Sequence, residues 1–123
     1  MPQSFSVGTD IIEIARVRDA IKRHGHRFLD RLFTAKEQKY CDKYKISERH
    51  YAGRFAAKEA ISKALGTGLG KSLSFLDIEI INNADGKPIT FIKGELNTEI
   101  AISISHCRDY ATATAIFAKL VQD

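Results

Sequence analysis

The sequence has no long apolar run, no CxxC pair, no internal repeat and no low-complexity tract or linker. No stretch approaches the ~18 apolar residues of a spanning helix, so no membrane segment is expected. The opening Met1-Pro2-Gln3-Ser4-Phe5-Ser6 lacks a basic start and an apolar run, so no export signal is read there. Cys41 and Cys107 stand far apart, a pattern that predicts free buried thiols and a cytoplasmic location rather than a disulfide. With no linker to divide it, the chain is expected to form one domain over residues 1–123.

With 44% hydrophobic and 28% charged residues, the chain has the composition of a globular protein with a modest core. A domain of 123 residues leaves much of its surface uncovered, so a core or site shared between subunits is a natural way to gain burial. The 19 Lys and Arg exceed the 15 Asp and Glu, giving a formal charge of +4 that favours phosphate- or carboxylate-rich partners.

Phe5, Val7 and Thr9 alternate with small residues up to Asp10, which predicts a strand from Phe5 to Asp10. From Ile11 to about Gly25, Ile14, Val17 and Ile21 recur at helical spacing, with Arg16, Arg18, Lys22 and Arg23 outward. A second amphipathic stretch holds Phe28, Leu29 and Leu32. Thr34 then stands three residues before Glu37, the capping box of a short helix reaching about Tyr44. The longest helix is predicted from Ser47 to Leu65, its apolar side formed by Tyr51, Phe55, Ile61, Ala64 and Leu65, with Gly66 as C-cap. Beyond it the period changes. Leu76, Ile78 and Ile80 alternate with Asp77 and Glu79, Asp85-Gly86 signals a hairpin before Ile89–Ile92, and Ile100–Cys107 and Tyr110–Ala118 read as two more strands. Helices followed by antiparallel strands predict an α+β fold, with an N-terminal strand and helices packed on an antiparallel sheet.

Three places can carry chemistry. Glu59 and Lys63 are helical neighbours at i and i+4, which describes either an ordinary surface ion pair or a carboxylate and an ammonium set side by side in a site. Asp10, at a strand end, reads either as a cap or turn former or as a ligand. His106 shares a strand face with Ile102 and Ile104 and reads as a hydrogen-bonded core residue or as a site residue. The run Gly66-Thr67-Gly68-Leu69-Gly70-Lys71-Ser72 is not a P-loop, because Leu65 occupies the first glycine position and the run follows a helix. It leaves two readings, plain helix termination or a loop whose amides approach a phosphate.

Taken in order, Val7 to Arg16, Phe33-Thr34-Ala35-Lys36-Glu37, Phe55 to Gly68 and Ser103-Ile104-Ser105-His106 resemble the small, single-domain class of 4′-phosphopantetheinyl transferases. The segment from Ser72 to Glu99 carries no signature of that class. The resemblance implies an α+β protomer that assembles as a homotrimer, with coenzyme A bound in clefts between subunits. It implies transfer of the 4′-phosphopantetheine group of coenzyme A to a serine of apo acyl carrier protein, with release of adenosine 3′,5′-bisphosphate, in support of fatty acid biosynthesis. Carried over by position, Asp10 and Glu59 are the magnesium ligands, and Arg54, Lys63, Gly66, Thr67, Gly68 and His106 contact coenzyme A. Glu59 and Lys63 are the catalytic pair, and Arg16 opens a carrier-protein docking face that Arg23 and Arg27 extend.

The chemistry suits these residues. Magnesium takes few protein carboxylates and completes its shell with water and substrate phosphate, so two carboxylates from distant segments suffice. A lysine beside the reacting phosphorus stabilises the charge that develops there, and either Glu59 or a water on the metal removes the serine proton. Two rivals differ in class: a nucleic-acid-binding domain, for which no recognition motif or stacking aromatics are found, and a magnesium-dependent phosphohydrolase using the same carboxylates.

Overall fold

The helix expected from Ser47 onward organises the fold. In a computed structural model, which describes residues 3–120, it runs from Ser47 to Leu65 (α4) and ends at Gly66 in the left-handed conformation (φ 79°). Met1, Pro2 and residues 121–123 of the expected domain lie outside the described residues. Ala52, Ala56, Ala57, Ala60 and Ala64 are all buried along α4, and their small side chains let sheet and helices approach it from several directions. The single apolar side expected for this helix is therefore too narrow, because Arg54, Lys58 and Ser62 are buried as well.

Strand β1 (Gln3–Glu13), β6 (Tyr110–Leu120) and β5 (Ile100–His106) form an antiparallel sheet in the order β1-β6-β5. Its inner face covers α4 with Ile100, Ala113 and Ala115. A second antiparallel sheet, β2 (Ile78–Asn82), β3 (Pro88–Ile92) and β4 (Glu95–Asn97), closes the same core with Ile78 and Ile80. Helices α1 (Ile14–His24), α2 (His26–Leu32) and α3 (Ala35–Asp42) enclose a second cluster, where Ile14, Val17, Leu29 and Phe33 pack on Tyr51 and Ala52 of α4. The α+β expectation holds.

Several boundaries differ from expectation. Ile11, Ile12 and Glu13 are strand rather than helix, because β6 extends far enough to pair with them as Ile11↔Thr112, Ile12↔Ala111 and Glu13↔Tyr110. Tyr44 lies beyond α3, which ends at Asp42. Leu76 sits in a 3-10 turn (Phe75–Asp77) and is exposed, so its apparent alternation with Ile78 was coincidental. Strand β4 carries no predicted signal, being three residues held only by pairing with β3. Both cysteines are free, but only Cys41 is buried; Cys107 is exposed.

The capping box at Thr34 does more than start α3. Glu37 is fully buried and accepts from Thr34 N at 2.9 Å, from Lys58 Nζ at 2.7 Å and from Ile80 N at 2.9 Å. Lys58, also fully buried, gives its other protons to the Leu32 carbonyl (2.6 Å) and the Phe75 carbonyl (3.0 Å). Burial pushes the Lys58 ammonium below its ordinary pKa, and Glu37 opposes that shift. The pair thus joins α3, α4, β2, the end of α2 and the 3-10 turn at Phe75 around satisfied charges. Removing one partner leaves the other buried and unpaired, so Glu37→Ala is expected to lower unfolding free energy by about 3 to 5 kcal/mol in urea titration.

Candidate active site

The site begins with a glycine. Gly8 in β1 lies so close to α4 that a Cβ there would stand 2.0 Å from the Ala60 carbonyl oxygen and 2.7 Å from Ala64 N. No other residue fits without moving strand from helix. Two residues on, Asp10 shares the strand face of Gly8 and is set beside the same turn of α4. Its backbone carbonyl accepts from Thr112 Oγ1 at 2.9 Å, which ties this part of β1 to β6; Asp10 therefore lies within the strand, not at its end as expected.

Lys63 Nζ bonds the Thr9 carbonyl at 2.9 Å and Asp10 Oδ1 at 3.2 Å. The lysine therefore reaches across to β1, rather than back along the helix to Glu59 as the i,i+4 spacing suggested. Among the described residues the Glu59 carboxylate takes no hydrogen bond and no ion pair. Partial burial pushes the Glu59 carboxyl up, the nearby Asp10 charge adds to that, and Lys63 opposes it. Two carboxylates thus share one edge with a single ammonium, a donor set one positive charge short. No cluster of three or more His, Cys, Asp or Glu occurs among the described residues. The pair fits a hard cation that keeps water and substrate oxygens in its shell, not one needing an all-protein cage.

The glycine loop after α4 follows the helix-termination reading. The amides of Gly66, Thr67 and Gly68 all turn back to the Ser62 carbonyl, at 3.0, 3.2 and 3.4 Å. They are engaged in capping rather than presented outward. What the glycines leave is open backbone surface, since a Cβ at Gly66 or Gly68 would meet nothing within 4 Å.

Arg54 and His106 lie elsewhere. Both line a 280 Å³ cavity with Tyr40, Arg49, His50 and Asn82. Arg54 is only 4% exposed, its guanidinium lies 4.0 Å from the Tyr40 ring centroid, and its Nη2 donates to Asn82 Oδ1 at 2.6 Å. Its buried Nε has no partner. A neighbouring 310 Å³ cavity shares Tyr40, Arg54 and Asn82 and adds Lys36, Lys39 and Lys43. Neither cavity is lined by Asp10, Glu59, Lys63 or the glycine loop. Within one chain, the residues expected in one site thus fall into two groups. Arg49, His50 and Asn82 were missed, because no pattern in the sequence ties them to a pocket lined from α3, α4, β2, β3 and β5.

Arg16 and Arg23 line one shallow groove with Asp19 and His24, and Arg27 lines the next with His24, Phe28 and Arg31. The three arginines therefore occupy one continuous basic face across α1 and α2, to which the structure adds Arg31. Arg18 instead turns to Glu48 at 3.7 Å.

The 4′-phosphopantetheinyl transferase superfamily model matches residues 6–115, and the chain belongs to that superfamily. Within it, the chain is similar to the holo-[acyl-carrier-protein] synthase of Protochlamydia amoebophila, 50% identical over 94% of this chain and 98% of the relative. Among solved structures it is similar to the Bacillus anthracis holo-(acyl-carrier-protein) synthase in complex with CoA (3′,5′-ADP), at TM-score 0.81 and 39% identity over 94% of this chain and 96% of that one. The Helicobacter pylori holo-[acyl-carrier-protein] synthase in complex with coenzyme A gives TM-score 0.77 and 38% identity over 89% and 96%. The chain is accordingly an enzyme of the holo-[acyl-carrier-protein] synthase type, which selects the transferase among the three functional readings.

The β1–α4 contact predicts its own test. Gly8→Ala must displace strand from helix, an overpacking cost of about 1 to 3 kcal/mol. Its activity is expected to fall further than its stability, at a temperature where circular dichroism shows the variant folded, because Asp10 moves with the strand.

Proposed function

We propose that this protein transfers the 4′-phosphopantetheine group of coenzyme A to a serine of an acyl carrier protein, using magnesium held by Asp10 and Glu59, and releases adenosine 3′,5′-bisphosphate. The observation that carries this reading is the pair of under-neutralised carboxylates at the Gly8 contact, beside a lysine. The coenzyme A complexes of the two structural relatives support the substrate.

In this reading the serine oxygen attacks the phosphorus bearing pantetheine, the bond from that phosphorus to the bridging oxygen breaks, and the bridging oxygen leaves with the bisphosphate. Magnesium, when bound, neutralises and orients the diphosphate. Lys63 spends two of its three protons on Thr9 and Asp10 and directs the third to the charge that develops on phosphate oxygens. Glu59, with its otherwise unengaged carboxylate, accepts the serine proton. The glycine loop admits the coenzyme closely as bare backbone surface.

Two groups of site residues in one chain favour a site completed between subunits, and the surface offers a face for assembly. Phe5, Val7 and Ile11 on the outer side of β1 are 65%, 63% and 66% exposed, with Ile116 beside Val7 on β6. A contiguous apolar sheet face of this kind marks an interface. The assembly proposed is a homotrimer, and light scattering is expected to give three times the chain mass; a monomer contradicts it. The enzyme is placed in the cytoplasm, where the exposed Cys107 thiol stays reduced; no helix of the described residues is long and apolar enough to cross a membrane. Its product serves fatty acid biosynthesis.

Intact mass spectrometry of apo carrier protein, incubated with enzyme, coenzyme A and magnesium, tests the reaction. One added phosphopantetheine, lost on chelation, is expected; an unmodified carrier overturns the proposal. Glu59→Gln is expected to fold normally and to reduce transfer by about 100-fold or more, whereas retained activity removes Glu59 from the site. Arg16→Glu, on the basic face, is expected to raise KM for the acidic carrier about tenfold, in a salt-dependent way, with coenzyme A affinity unchanged. Equal loss of both dismisses a docking role.

A further inference from the structure

Lys58 stands one residue before Glu59 in α4 and takes no part in the transfer chemistry, yet it is fully buried. Its ammonium holds partners from three other segments: the Leu32 carbonyl at 2.6 Å, Glu37 Oε1 at 2.7 Å and the Phe75 carbonyl at 3.0 Å. Stability alone does not call for this arrangement, since well-packed apolar residues of similar volume often stabilise a core as much or more. What the buried ammonium adds is a set of fixed distances.

The segments it holds have places in the functional reading above, on which this inference rests. Leu32 is the last residue of α2, the helix that carries Arg27 and Arg31 of the basic face. Carbonyls at a helix end lack partners within the helix, and Lys58 supplies one from outside. Phe33, which follows α2, sets its ring centroid 5.3 Å from the same nitrogen. The other ties of α2 are few: of its seven residues only Leu29 is buried, and Asp30 accepts an exposed hydrogen bond from Gln38 at 2.9 Å. Phe75 opens the 3-10 turn that closes the segment after the glycine loop, and its ring stacks on Phe55 of α4 at 5.3 Å between centroids. Glu37 carries the tie on to β2 through the Ile80 amide.

We propose that Lys58 is a positioning residue, fixing the end of the carrier-docking helix α2 and the turn at Phe75 against the part of α4 that carries Glu59, so that a docked carrier presents its serine at the catalytic edge. Docking and chemistry lie on different elements, and the separation of α2 from α4 sets where the serine arrives. A misplacement of about 1 Å between reacting groups costs about 100-fold in rate. Loss of the ties from Lys58 therefore slows transfer within the bound complex and leaves the affinities for carrier, coenzyme A and metal in place.

Two variants separate positioning from a role confined to stability. Glu37→Gln removes the counter-charge but leaves the Lys58 nitrogen, charged or neutral, with at least two N–H donors for the two carbonyls. Glu37→Gln/Lys58→Met removes the ties themselves and leaves no unpaired charge. For each protein, competent sites are counted by manganese titration with coenzyme A present, followed by electron paramagnetic resonance. The single-turnover rate at saturating apo acyl carrier protein is then expressed per site, so that unfolded protein lowers the count and not the rate. Glu37→Gln is expected to stay within about threefold of the wild-type rate per site, and the double variant to lose about 100-fold, with its half-saturating carrier concentration and manganese dissociation constant within about twofold of the wild type. A second measurement needs no variant and stands even where the double variant does not fold. NMR order parameters of the wild-type backbone are expected to be about 0.85 along α2 as far as Leu32, as in α4, and values below about 0.6 overturn the inference. A double variant as fast per site as the wild type, or a loss that appears in manganese affinity instead of transfer rate, also overturns it and leaves the transferase reading standing. A carrier left unmodified by the wild type overturns both.

Discussion

One close approach governs the catalytic end of this protein. Because Gly8 has no side chain, β1 lies against α4 with room for nothing larger: the added Cβ would stand 2.9 Å from Lys63 Cβ as well as against the helix backbone. From that contact the rest follows by geometry. Alternation along the strand brings Asp10 to the same face, two residues past the contact, and one helical turn separates Glu59 from Lys63. Two carboxylates and an ammonium from segments about fifty residues apart in sequence meet with no flexible loop between them. A site built on a strand and a helix is more rigid than one built on loops, which suits a reaction that depends on positioning and charge rather than on covalent chemistry by the protein.

Three of the four cations of α4, Arg54, Lys58 and Lys63, show how one helix serves three purposes. Lys58 is sealed in the interior, with all of its donors satisfied by Glu37 and two carbonyls. Arg54, one turn earlier, is buried but incompletely paired and opens onto two cavities. Lys63, one turn later than Glu59, stands at the exposed edge and reaches Asp10. Charge by itself does not assign a role here. Full satisfaction marks Lys58 as structural, an unfilled donor sets Arg54 apart, and a partner on a neighbouring strand distinguishes Lys63, the lysine proposed for catalysis.

Most of the fold was legible because its signals are local. The αL glycine at position 66, the Thr34–Glu37 capping box and the alternation in β5 and β6 depend on a few neighbouring residues. The start of α1 was not legible, since Ile11 to Glu13 are extended only because β6 pairs with them across a hundred residues of chain. Family resemblance marked Asp10, Glu59, Lys63, Arg54 and His106, but not their division between two places within one chain. Glu37 and Lys58 escaped for another reason. Charged residues in amphipathic helices read as solvent-facing, and only the packed structure shows that these two satisfy each other in the core. His50 carries no motif, and its surroundings come from α3, α4 and β5 together.

The direct test of this account is where a divalent cation binds. Crystals grown with coenzyme A and manganese, a spectroscopic stand-in for magnesium, would place the metal by anomalous scattering. The account predicts one strong peak within ~2.0 to 2.3 Å of carboxylate oxygens from both Asp10 and Glu59, with diphosphate oxygens completing the shell. A peak held by other residues, or bound coenzyme A with no peak between these two carboxylates, would contradict it.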